Sequence, residues 1–360
     1  MKTKLKTRFM TWLLAAGVTG IMATSLPSNA QAQEAVRDFK GEELVVQTLT
    51  GTAGKFFRDI AKPFEKKFNA KLVHIESLSS DTVAKMRANA GNQESDVWMV
   101  AESWATVLEK EGLLEPLTVK GVPALETLMP TGRRKNDAFM LMSLAAMNIT
   151  YNKNKLSEAD LPKSWADLAN PKYKGRLILP AANSTFAVML IQQLNKAGGG
   201  TVTNIDPAIA ELKKIAPNVM TYWTSFDQNF NLMNTGQAWL AVSSSDRTVD
   251  QALKGAPVSA TYPESGTVLI GNAVGVSKGT QHKDLAEAYV NYLLSKEVQK
   301  LTADQIGQIP TVKDVDVSPA VQALLPQGEA MKNSESPDWG EIAANQAQWI
   351  ERYTKEIVSR

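Results

Sequence analysis

The residues able to do chemistry gather in short loops rich in hydroxyl and amide groups. Thr50-Gly51-Thr52 places two hydroxyls around a glycine, whose missing Cβ lets the backbone approach a bound molecule closely. Glu102-Ser103-Trp104 sets a carboxylate beside an indole, a pair that holds an amine by charge and stacks on it or on an alkyl chain. Asn183-Ser184-Thr185 precedes an apolar run, where one turn serves as helix cap and solute contact together. Trp223 and Ser225-Phe226-Asp227-Gln228 bring an aromatic face and a second carboxylate, and Ser243-Ser244-Ser245-Asp246-Arg247 opens with three consecutive hydroxyls. Each has a plainer reading as a turn, an N-cap or a core tryptophan. Together they suit the holding of a small polar molecule better than the breaking of a bond. Cysteine is absent, which removes thiolate catalysis and disulfides. The two histidines, His74 and His282, lie in separate segments without a second ligand at metal spacing. No Gly-x-Ser-x-Gly elbow occurs. The chain reads as a binder rather than an enzyme, with no catalytic residue, metal site or cofactor expected.

The elements that must position these loops alternate in type. Leu44–Leu49, Lys71–Ile75 and Asp96–Val100 are short apolar, β-branched runs that predict strands. Between and after them lie helical patterns: Phe56, Phe57, Ile60, Phe64 and Phe68, with Pro63 expected to kink or break the run; Ser80-Asp81 capping a helix through Ala90; and Ser103 to Gly112. This alternation predicts a mostly parallel α/β sheet. Phe139–Met142 and Ala145–Tyr151 then read as successive extended segments with no helix between them. A second series follows: strand 176–179, helices 186–197 and 206–215, strand 239–242. Extended runs at 268–270 and 273–276 precede a single helix over 286–301, and a helical stretch over 340–358 ends the chain. Two extended crossings, near 143–150 and 266–273, suggest two lobes joined by paired strands, a hinge that closes on a ligand. In open α/β sheets ligands sit beyond the carboxyl ends of the strands, where helix N-termini present free N–H groups. That rule selects the loops after Leu49, Val100, Leu179 and Val242.

Composition agrees. The chain has 360 residues, 44% hydrophobic and 21% charged, a length that suits two medium domains. Residues 1–32 differ: Lys2, Lys4, Lys6 and Arg8 head an apolar stretch from Phe9 to Met22, and Ala30-Gln31-Ala32 offers a signal-peptidase site. Cleavage after Ala32 is expected, so that the mature protein begins at Gln33. Its loss removes four basic groups and turns the formal charge from +2 to −2. Nothing then calls for nucleic acid or an anionic membrane.

Five segments carry a family resemblance: Asp96–Val100 running into Gly112–Leu117; Met147–Asn152; Ser164–Leu168 through Pro171–Arg176; Tyr262–Gly266 leading to Asn272–Val276; and Gly307–Thr311. In this order they resemble the periplasmic solute-binding proteins of the spermidine/putrescine and ferric-iron-like cluster. The resemblance implies a two-lobed α/β periplasmic binding protein fold of the class II type, with lobe 1 over residues 33–145 and 272–310 and lobe 2 over 148–266 and 311–360. It implies a monomer in the periplasm, serving a membrane permease and a cytoplasmic ATPase of the ABC type, and a polyamine-like or amine-bearing solute. It adds Glu264 and Asn272 to the expected site. Two departures point elsewhere: Asn272 stands where the polyamine-binding relatives place an aspartate, and Val242-Ser243 where they carry a tryptophan and an asparagine. No Tyr-Tyr pair occurs, which argues against ferric iron. An organic anion, a phosphonate or carboxylate, is the alternative solute, and a periplasmic sensor subunit the alternative role.

Overall fold

The computed structural model describes residues 37–134 and 136–359. The expected export segment lies outside them. The chain opens with β1 (Glu42–Thr48), α1 (Gly51–Phe68), β2 (Ala70–Glu76), α2 (Ser79–Ala88), β3 (Val97–Ala101), α3 (Glu102–Lys110) and the short β4 (Leu114–Glu115). A long strand, β5 (Met140–Asn152), leads away. Next come β6 (Leu177–Pro180), α4 (Thr185–Ala197), α5 (Asp206–Ile215), β7 (Val219–Trp223), α6 (Phe226–Asn234), β8 (Leu240–Ser244), α7 (Ser245–Leu253) and β9 (Val258–Thr261). The return strand β10 (Leu269–Ser277) is followed by α8 (Lys283–Leu293), α9 (Lys296–Ile306), α10 (Pro319–Gln322), α11 (Gly328–Lys332) and α12 (Trp339–Tyr353).

The strand order is β2-β1-β3-β10-β5-β8-β6-β7, with β4 beside β10 and β9 beside β5. β1 runs parallel to β2 and β3, and β6 parallel to β7 and β8, so the two strand–helix series make two parallel halves. The antiparallel pair β5–β10 joins them: Leu269 faces Ala146, Val274 faces Met140, and the register shifts between Asn272 and Ala273. This is the expected two-lobed α/β fold with two crossing strands. Each half has its own core. Phe57 and Phe64 of α1 meet Leu44, Val46 and Tyr289 in one, and Leu190, Ile209, Leu240, Trp349 and Tyr353 gather in the other. A third cluster places Val321, Leu324 and Leu325 with Trp98, Phe139 and Leu141, so the chain after α9 packs against the face formed by β3 and β5.

Three expectations about elements need correction. α1 runs unbroken through Pro63. Pro63 is on the exposed face, where water can meet the carbonyl that loses its partner, so the break does not occur. The expected helix over 286–301 is two helices, because Ser295 caps α9 by accepting the Val298 N–H at 3.3 Å. α2 starts at Ser79 with Leu78 as N-cap, not at the Ser80-Asp81 pair.

Candidate functional site

A cleft of about 290 Å³ opens over the crossing strands. Its floor includes Ala145 of β5 and Ile270 and Asn272 of β10, with Gln308 beyond them. Asn272 donates to the Ser143 hydroxyl at 3.3 Å, and that hydroxyl in turn donates to the Gln308 side-chain carbonyl. Thr50 and Ala53 come from the start of α1, Leu78 and Ser79 from the start of α2, and Ser244, Asp246 and Arg247 from the start of α7. All three helices therefore aim their N-termini at one space. None has a side-chain cap: Thr50 and Leu78 make no capping bond, and the Ser244 hydroxyl turns instead to the Asp246 carboxylate. The first N–H groups of a helix carry partial positive charge and need an acceptor. Arg247 adds a full charge, seated over the Phe226 ring at 5.3 Å.

The position of α1 depends on Gly54. A Cβ there would lie 2.1 Å from the Leu49 carbonyl oxygen and 3.0 Å from the Glu76 carboxyl carbon. Neither the end of β1 nor the first turn of α1 can yield without moving the cleft wall. Gly54→Ala is expected to cost about 1–3 kcal/mol as overpacking. A melting curve of the variant that overlays the native one would contradict this.

A larger hollow of about 780 Å³ adjoins the cleft, sharing Phe186 and Ile270 with it. Glu102, Ser103 and Trp104 of α3 line it, with Thr185 of α4 and Trp339 and Ala343 of α12. Glu102 is buried and already engaged, with the Arg134 guanidinium on its Oε1. Burial pushes the Glu102 carboxyl above its ordinary range, opposed by Arg134, the Ser336 hydroxyl and the Gly271 N–H.

The expected site residues thus divide. Thr50, Ser244 and Asn272 line the cleft, and Glu102, Ser103, Trp104 and Thr185 line the hollow. Gly51 begins α1 with a left-handed φ of 69°, at the cleft's edge in sequence but not among its walls. Thr52 is in the same turn, and its side chain is outside the described part of the structure. Ser184 caps α4 by accepting the Phe186 N–H at 3.2 Å, Ser225 caps α6 by accepting the Gln228 N–H at 3.2 Å, and Asn183 is exposed beside its cap. Trp223 is core, its indole donating to the Val242 carbonyl at 2.9 Å and its ring stacked on Phe226. Ser243 is fully buried, bonded by Asn229 at 3.2 Å. Asp227 is exposed on α6 and lines neither space. Glu264 belongs to a separate hollow beside β9, with Tyr151 and Lys163.

Leu78, Phe186, Gln308 and Trp339 were not singled out as site residues by sequence reasoning, and Phe226, Asp246 and Arg247 were named only as members of their segments. Asp246 and Arg247 follow β8 directly, so the carboxyl-end rule that chose Ser243 and Ser244 reaches them one turn later. The histidines stay away from the cleft: His282 meets Glu42 at 2.6 Å, and His74 is on β2, its pKa lowered chiefly by burial.

A two-lobed α/β fold with a solute-sized cleft over paired crossing strands defines the periplasmic binding protein class. Residues 59–327 match the bacterial extracellular solute-binding protein family, and the chain belongs to it. A solved structure of an ABC transporter from Clostridium perfringens is similar at a TM-score of 0.74 and 25% identity, over 87% of this chain and 99% of that one. The spermidine/putrescine-binding periplasmic protein of Escherichia coli is 25% identical over 312 residues, 82% of this chain and 87% of its own. A candidate 2-aminoethylphosphonate-binding periplasmic protein of Salmonella typhi is 21% identical over 301 residues, 81% of this chain and 85% of its own. Among the described residues no helix is long and apolar enough to cross a membrane.

Proposed function

We propose that this chain is the periplasmic solute-binding component of an ABC importer, and that its solute is a small organic anion, a phosphonate or carboxylate. The carrying observation is the convergence of three uncapped helix N-termini, those of α1, α2 and α7, on one cleft beside Arg247. The amine-bearing solute suggested by the resemblance finds less support. An amine needs a free carboxylate, and Glu102 is engaged by Arg134 while Asp246 accepts from Ser244 and lies 3.8 Å from Arg247. Asp227 is outside the cleft. The names of the relatives span both charges, so they do not choose between the two. In this reading residues 1–32 are a cleaved signal peptide, lobe 1 spans 33–145 and 272–310, lobe 2 spans 148–266 and takes in α12 from the C-terminal segment 311–360, whose residues 321–325 pack on β3 and β5 instead, and the lobes close on the solute while a separate permease and ATPase move it.

The test is a thermal-shift series with methylphosphonate, inorganic phosphate, succinate, putrescine and spermidine. A ligand that binds only the folded state stabilises it by mass action, about 2.7 kcal/mol at a hundredfold excess over Kd. The anions are expected to raise the melting temperature and the amines to leave it in place. A shift with putrescine or spermidine alone would overturn the anionic reading and restore the amine one. Small-angle scattering at saturation is expected to show compaction, and an unchanged radius would count against closure.

A further inference from the structure

We infer that the solute is bipartite, with its anionic end in the cleft and an apolar, planar body in the adjoining hollow. The inference rests on the reading of the cleft as the solute site and goes further by naming the shape and class of the molecule.

A small anion does not account for the space. The cleft holds about 290 Å³ and the hollow about 780 Å³. Sites for drug-sized molecules run from roughly 300 to 1,000 Å³ and are mostly apolar with a few placed polar groups. The two spaces adjoin, since Phe186 and Ile270 line both. Phe186 also carries the wall from one to the other: its ring meets Phe226 edge-on at 5.6 Å, and Phe226 is the ring beneath Arg247. The charged end and the apolar end are therefore connected by one aromatic step.

The hollow is built for a flat apolar group. Trp104 and Val107 of α3 form one side, Trp339 and Ala343 of α12 another. A second observation is independent of shape: the Trp339 indole N–H is buried and has no partner among the described residues. A buried donor left unpaired is costly and uncommon, and an acceptor on the solute's body would satisfy it. The one carboxylate among the described lining residues, Glu102, is held by Arg134 through Oε1 while its Oε2 is buried without a hydrogen-bond partner, and Lys110 is also in the lining. With two cations beside one carboxylate, the hollow carries no net negative charge to draw an amine.

The test compares benzylphosphonate, methylphosphonate and benzyl alcohol by titration calorimetry on the protein. Benzylphosphonate is expected to bind at least tenfold more tightly than methylphosphonate. Trp339→Leu is expected to cut that ratio below threefold, and Trp104→Leu to do the same. The readout is the ratio of the two affinities within each protein, so a general loss of folded material leaves it unmoved. If the native protein binds both phosphonates equally, the hollow is not part of the solute site, and the anionic reading of the cleft stands. If benzyl alcohol binds as tightly as benzylphosphonate while methylphosphonate fails, the anionic reading falls and the hollow remains a site. If none of the three binds, the bipartite solute and the phosphonate form of the anionic reading are both overturned.

Discussion

Replacing Arg134 with methionine is expected to lower the unfolding free energy by roughly 2–4 kcal/mol, because it strands a buried carboxylate. Glu102 has 8% of its side chain exposed and Arg134 23%, so the pair is desolvated far beyond an ordinary surface ion pair. Arg134 also donates to the Thr131 carbonyl at 3.2 Å and lies over the Phe139 ring, so the substitution removes more than charge. The signature that separates charge from packing is the pH dependence. Arg134 is the largest influence holding the Glu102 pKa down against burial. Without it the folded-state pKa rises further above the unfolded value. A carboxyl whose folded pKa is raised binds its proton more readily in the native state, so stability falls as pH rises through the window between the two values. The loss relative to the native protein is thus expected to be largest at alkaline pH and to shrink on acidification towards the ordinary glutamate range. Adding Glu102→Gln to Arg134→Met is expected to recover much of the loss at neutral pH, because a neutral amide needs no cation. A deficit that is constant with pH and not relieved by the second change would assign the whole effect to packing.

Arg247→Gln is expected to weaken methylphosphonate or benzylphosphonate binding by about 10- to 100-fold. A hydrogen bond to a charged partner is worth about 1.5–3 kcal/mol, and each 1.4 kcal/mol is about a factor of ten. The side chain is 46% exposed, and its 3.8 Å contact to Asp246 and its place over the Phe226 ring are both partly solvated, so the unliganded protein is expected to keep its stability within about 1 kcal/mol. Calorimetry on the variant reads the first quantity and a denaturant titration the second. Unaltered affinity would place the anion away from the start of α7.

The elements were legible where local pattern and tertiary need coincide. α5 was read to the residue, since Ile209, Leu212 and Ile215 repeat at helical spacing and all are buried. β5 was legible as a crossing because its run is largely apolar, although the reading divided it at Ser143 into two segments, 139–142 and 145–151, where the structure has one strand, Met140–Asn152. What failed depends on distant partners. Glu102 looked free to hold an amine because Arg134, which takes it, lies 32 residues away. Asp227 looked like a ligand because its place after an extended run is right, while its direction is set by how α6 packs, which no spacing encodes. Trp223 and Trp104 are the same residue type after similar strands, yet one is core and the other lines a hollow. Trp339 gave no signal at all, since only the fold brings α12 across from α3.

The position of β10 sets an order in time. It lies between β3 and β5 in the sheet, and its Asn272 pairs with Ala101 of β3, 171 residues earlier in the chain. Until residues 269–277 exist, β3 and β5 each keep an open edge and the first half cannot close. Contacts so far apart along the chain make for slow folding, because loop closure must be completed before they reward it. A growing chain therefore stays without its finished first lobe until β10, ending at Ser277 of 360 residues, has emerged.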